Sequence, residues 1–232
     1  MKKIFLFLVL LSITPHAFAL TIAEPSILAP MQDIHQKVEK GTFSLDIAYP
    51  SFGIKGIDSV IYTYIDSTRT DYLKSAKELF AQKEPDFTPT TSINISYKVL
   101  NDVDDIVSIE FQGYTYLWGA HGTPFINTFT FRKSTGRLIT LTNQEHINKI
   151  TTLIRPNLFK YLESIQMTDE KWENDGTAPT AENYQSFTYQ MDSNGKLESI
   201  TLYFQPYQVA AYAAGMPKAT IHKDGKIDIG NN

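Results

Sequence analysis

No cysteine occurs among the 232 residues. That absence excludes a disulfide framework, a thiol nucleophile, a thiolate-bound metal and lipid attachment to a cysteine behind a leader, so stability must come from packing alone. Positive charge is also scarce, with 21 Lys and Arg against 25 Asp and Glu and a formal net charge of −4. A mildly acidic chain is poorly suited to hold a polyanion, which argues against nucleic acid as a partner. Long apolar runs are missing beyond the N-terminus. The one such stretch, residues 4–13, follows Lys2 and Lys3 and precedes Ala17-Phe18-Ala19, the order of a secretory signal peptide. It falls short of the roughly 20 residues that a membrane helix needs. Cleavage after Ala19 is therefore expected, leaving a soluble periplasmic or secreted protein without a stable membrane anchor.

What is present is a sequence of short periodic segments. Phe43, Leu45, Ile47 and Tyr49 alternate with small or polar residues, which predicts a half-buried strand. Ile57, Val60, Ile61, Tyr64, Ile65, Thr68, Tyr72, Ala76, Leu79 and Phe80 then recur at three- and four-residue steps and predict a long helix. Pro85 and Pro89 are expected to end it. Ile93, Ile95, Tyr97 and Val99 alternate, as do Val107, Ile109 and Phe111, predicting a hairpin around residues 101–105. Residues 125–132 and 138–141 repeat the pattern.

Thr142 and Glu145 match a capping box, so a second helix is expected from Asn143, kinked or split near Arg155 by Pro156. Residues 169–182 read as a polar loop. Strands are expected again at 187–191, 200–204, 219–222 and 227–229. Strands and helices lie in separate blocks, which predicts an α+β fold of mainly antiparallel sheets with two principal helices.

Chemistry is harder to find. His35, His146 and His222 have no metal-ligand spacing, so neither a metal nor a cofactor is expected. Asp102, Asp104 and Asp105, with Glu110 nearby, read as solvated turn residues rather than an acid–base pair, because aspartate suits turns and paired catalysis needs opposed environments. No nucleophile elbow or phosphate-cradling glycine loop is present, and no catalytic residue is assigned. Trp118, His121, Tyr207 and Tyr212 are the candidate ligand-binding residues. The first two lie in a loop of small residues, the last two in a dense run of tyrosine and alanine, and exposed rings of this kind stack on sugars or anchor a protein partner.

Three segments carry a resemblance in their order: residues 113–122 (GYTYLWGAHG), 129–141 (FTFRKSTGRLITL) and 187–221, ending in PYQVAAYAAGMPKATI. Together they resemble the extracytoplasmic domain of unknown function shared by RsiV-type anti-sigma factors and the non-catalytic part of PdaC-type peptidoglycan deacetylases. The resemblance implies an N-terminal PdaC-like subdomain at 20–115, a C-terminal RsiV-like subdomain at 116–225 and a tail at 226–232, behind a signal peptide at 1–19. It also implies a place in the cell envelope, with peptidoglycan or a lysozyme-type muramidase as partner. Departures from the family are expected to matter. No sigma-binding segment precedes the leader, no deacetylase metal signature is present, and Trp118-Gly119 stands where the family often has two glycines. Three functional classes stay open: a non-enzymatic envelope binding module, an envelope glycan hydrolase or deacetylase-like enzyme, and a periplasmic interaction or inhibitor module.

Overall fold

The computed structural model describes residues 30–82 and 88–232. The expected signal peptide and the helix-ending Pro85 lie outside the described residues. The first sheet has six strands in the order β1 (Gln32–Lys40), β2 (Phe43–Ser51), β3 (Thr91–Val103), β4 (Ile106–Leu117), β5 (Thr123–Arg132) and β6 (Arg137–Leu138). All neighbours are antiparallel except β2 and β3, which run parallel because helix α1 (Lys55–Phe80) crosses over between them. The apolar stripe of α1 is laid down as expected, with Ile57, Ile61, Ile65, Tyr72 and Ala76 buried against Ile47, Ile95, Ile109, Phe111 and Phe131 of the sheet. Phe80, at the helix end, is exposed rather than part of that stripe.

A second core forms on helix α2 (Gln144–Ser164), which packs on a four-stranded antiparallel sheet in the order β10 (Ile227–Asn231), β9 (Pro217–His222), β8 (Leu197–Tyr203) and β7 (Phe187–Met191). Several expectations change here. The helix is capped by Asn143, whose side chain accepts from His146 N–H, and not by Thr142. It runs unbroken through Pro156, since Ile147, Ile150, Ile154, Leu158 and Leu162 bury one face on either side of that residue. The polar loop contains a short helix, α3 (Glu170–Gly176), capped by Asp169. The strand β1 was not expected, and the supposed tail is the paired edge strand β10. A boundary between residues 115 and 116 would cut β4, whereas the first sheet is complete only at Leu138.

The two halves meet where the edge of β7 lies across the second face of the first sheet. In an alternating strand that face would meet water, but here Ser108, Glu110, Thr128 and Thr130 are buried on it. Glu110, 3% exposed, is therefore not a turn residue; it accepts from Gln112 Nε2 at 2.6 Å and lies close enough to Tyr203 to help raise that phenol's pKa, although burial is the larger cause. The turn aspartates are also engaged, since Asp105 accepts from Ser134 N–H and Oγ and pairs with Arg132.

Backbone groups of Phe187, Tyr189 and Met191 point away from β8 and find side chains instead of a strand. Ser108 Oγ donates to the Tyr189 carbonyl at 2.8 Å and accepts from Tyr189 N–H at 3.1 Å. Its single proton is thereby used, so Thr130 donates the remaining 3.0 Å bond between their hydroxyls. Thr128 Oγ1 donates to the Phe187 carbonyl at 2.9 Å, and Asn101 Oδ1 accepts from Met191 N–H at 2.9 Å. Asn101 reaches this face because a register shift between Val99 and Asn101 places it opposite Ser108. Gln205 works in the opposite direction: its amide accepts from Ile126 N–H and donates to the Ile126 carbonyl on the open edge of β5.

Removing a partner from such a junction leaves buried backbone groups unpaired. Ser108→Ala is expected to lower unfolding free energy by about 2–3 kcal/mol in urea titrations, with exposed Ser67→Ala within about 0.5 kcal/mol of the parent. Equal effects of the two substitutions would contradict the assignment.

Candidate functional site

The tip of the β4–β5 hairpin is a five-residue loop, 118–122, held by two tyrosines from β4. Tyr116 Oη donates to the Gly119 carbonyl at 2.9 Å, and Tyr114 Oη accepts from Gly122 N–H at 2.9 Å. The Tyr114 ring presses on Gly122 so closely that a β-carbon there would collide with it. The loop turns through Trp118 at φ +67° and Gly119 at φ +108°. His121 bonds the adjacent Gly122 carbonyl through Nδ1 at 3.0 Å.

The segment after β8 meets this tip. Gln205-Pro206-Tyr207-Gln208 closes with Gln208 N–H donating to the Gln205 carbonyl at 3.0 Å, and Tyr207 has φ +67°. Proline second and positive φ third is the pattern of a type II turn, which normally carries glycine or asparagine third. Gln208 Nε2 donates to the Gly176 and Asn183 carbonyls, both at 3.0 Å, and ties this turn to the end of α3. Residues 212–214 then form a single 3-10 turn.

Three of the four sequence candidates fall into one row. The His121 and Tyr212 rings stack with centroids 4.5 Å apart, Tyr212 Oη donates to the Gly122 carbonyl at 3.1 Å, and Tyr207 follows at 5.8 Å from Tyr212. Trp118 shares the hairpin loop but turns to the α1 side, where with His121 it lines a hollow over Thr115, Leu117 and Phe125. Trp118 and Tyr207 are 46% and 51% exposed. Non-glycine residues in the left-handed region cost about 1–2 kcal/mol each, so two large exposed rings occupy positions that glycine would fill more cheaply. Trp172, edge-on to Tyr207 at 6.2 Å, extends the row and had no place in an expected polar loop. Its signal was Asp169 three residues earlier, a helix N-cap that accepts from Trp172 N–H.

Beside Trp172, Glu173 is 7% exposed and its Oε1 has no hydrogen-bond partner among the described residues. Burial, aided by the carboxylates of Asp169, Glu170 and Glu163, pushes its pKa above the usual range. A carboxylate with a raised folded pKa penalises the fold where it is ionised, and the penalty fades as pH falls through that raised value and is gone below the ordinary glutamate value. Glu173→Gln is thus expected to stabilise the protein by roughly 1 kcal/mol at neutral pH. Urea titrations at successively lower pH should show that gap closing, and a gap constant with pH would contradict this account.

Among the described residues no three His, Asp or Glu side chains converge as metal ligands, and no helix is long and apolar enough to cross a membrane. The family model "Deacetylase PdaC" matches residues 36–123, and the model "Protein of unknown function (DUF3298)" matches residues 140–224. The peptidoglycan-N-acetylmuramic acid deacetylase PdaC of Bacillus subtilis (strain 168) is 26% identical over 193 residues, covering 81% of this chain and 39% of that protein. The chain thus spans well under half the length of this curated relative. A crystal structure of a DUF3298 family protein from Pseudomonas aeruginosa PAO1 superposes with a TM-score of 0.55 at 15% identity, covering 86% of this chain and 94% of that one. A DUF3298 member from Bacteroides fragilis gives 0.51 at 14% identity, covering 84% and 91%. At these identities the likeness is one of fold.

Proposed function

Because the Deacetylase PdaC model and the DUF3298 model match successive parts of the chain, we propose that it is an exported binding module of the cell envelope. In this reading it is not an enzyme. Its ligand is peptidoglycan, held by the row His121, Tyr212, Tyr207 and by Trp118 at the hairpin tip; a lysozyme-type muramidase is the protein partner that the same rings would anchor. The named relative acts on N-acetylmuramic acid of peptidoglycan, which supports the choice of ligand class.

One observation carries the reading: Trp118 and Tyr207, from loops far apart in sequence, both hold exposed rings on a left-handed backbone, Tyr207 against Tyr212 and Trp118 beside His121. About half of each ring stays exposed, and the backbone would relax with glycine. Strain retained at two such positions is the mark of a surface kept for contact. Flat aromatic faces suit the C–H faces of sugar rings or the apolar centre of a protein interface.

Glycine at either position separates function from stability. Trp118→Gly and Tyr207→Gly are expected to leave unfolding free energy within about 0.5 kcal/mol of the parent, because relieved strain offsets the entropy of glycine. Each should weaken retention on purified sacculi about tenfold. Co-sedimentation with sacculi and with lysozyme, with parallel assays for released acetate and reducing ends, reads all the outcomes. No retention by either partner would remove the binding role, and turnover of sacculi would replace it with an enzymatic one.

A further inference from the structure

A cleft opens next to the hairpin tip, where the second half of α1 passes the β4–β5 hairpin and the residues that lead into β7. Its volume is about 520 Å³, and it shares Thr115, Leu117 and Phe125 with the hollow of about 370 Å³ under Trp118 and His121. Both volumes lie in the range of small-molecule sites. The floor is the Phe125 ring, laid across Gly113 of the neighbouring strand, where a β-carbon would overlap it. Tyr72 forms one wall and is fixed by hydrogen bonds to the Ser44 carbonyl at 3.0 Å and the Thr91 hydroxyl at 3.1 Å.

Four polar residues of this cleft differ from those of the junction between the halves, where hydroxyls and amides are bonded to neighbours. Asp71, Ser75, Thr115 and Gln185 line the cleft, and their side chains make no hydrogen bond or ion pair to another described residue. The Tyr64 hydroxyl, buried beside Thr68 and Asn127, also lacks a hydrogen bond of standard geometry. No Lys, Arg or His lines the larger cavity among the described residues.

Each feature narrows the ligand. Without a cation the cleft has nothing to hold a phosphate or carboxylate. An aromatic floor ringed by unbonded neutral groups and one carboxylate suits a ring with apolar C–H faces and hydroxyl or acetamido groups at its edge. Asp71 would accept from hydroxyls, while Gln185 and the hydroxyls of Ser75 and Thr115 would serve either polarity. Cleavage of a glycosidic bond calls for two carboxyl groups flanking it; Asp71 is the sole acidic residue lining this cleft among the described residues, an arrangement for holding a sugar.

We propose that this cleft is a saccharide subsite that takes an N-acetylated pyranose, with the glycan continuing over Leu117 to the rings of Trp118 and His121. This rests on the peptidoglycan reading and adds to it the place and chemistry of the bound sugar. Titration calorimetry of the protein with a chitin-type tetrasaccharide of N-acetylglucosamine tests the subsite, and co-sedimentation with sacculi tests the reading beneath it. Asp71→Asn and Thr115→Val are each expected to weaken tetrasaccharide binding about tenfold, with an unchanged urea midpoint. Unaltered affinity in both variants, or retention on sacculi without any binding of the tetrasaccharide, would overturn the subsite while the envelope reading stands. Binding of neither ligand by the parent protein would remove both.

Discussion

The outward-facing backbone of β7 is the constraint on which the rest of the molecule depends. A sheet edge buried against another sheet must find partners for every N–H and carbonyl, or each unpaired group costs about 1–3 kcal/mol. Here the partners are side chains. Asn101, Ser108 and Thr128 take the place of a strand along β7, and Gln205 does the same for Ile126 on the edge of β5. The exchange works in both directions across the junction, so neither half completes its own hydrogen bonding.

This arrangement also builds the candidate site. Gln205 sits at the end of β8 and begins the turn that carries Tyr207. Its amide grips Ile126, one residue from Phe125 on the cleft floor. Fixing one fixes the other, and the Tyr212 ring is delivered onto His121 from a segment about ninety residues away in the chain. The aromatic row, the hairpin tip and the cleft therefore share one support. A ligand spanning them would read the relative placement of the two halves as well as the individual rings.

The sequence discloses those parts of this fold in which a one-sided pattern has a single interpretation. The stripe of α1 is such a case, and so are the alternating runs of β3, β4 and β5. Alternation alone could not say whether the polar face of β4 meets water or a second sheet, so Glu110 read as solvated. The strand β1 carries only Ile34 and Val38 as aliphatic residues amid charges, a composition suited to an exposed edge and hard to distinguish from a loop. The seven-residue α3 is too short and polar for any period to show. Trp118, His121, Tyr207 and Tyr212 stood out through their motifs. The cleft did not, because Tyr72, Thr115 and Gln185 come from three distant segments and share nothing but their place in the fold.

The most direct measurement of this account is native-state hydrogen exchange at the Tyr189, Met191 and Ile126 amides, the three whose partners are side chains across the junction. If those side chains hold the halves as one unit, the three amides open only with global unfolding, at the same free energy as amides within the central pairing of β4 or β8. Exchange of the three through a separate, cheaper opening, while both cores stay protected, would contradict it.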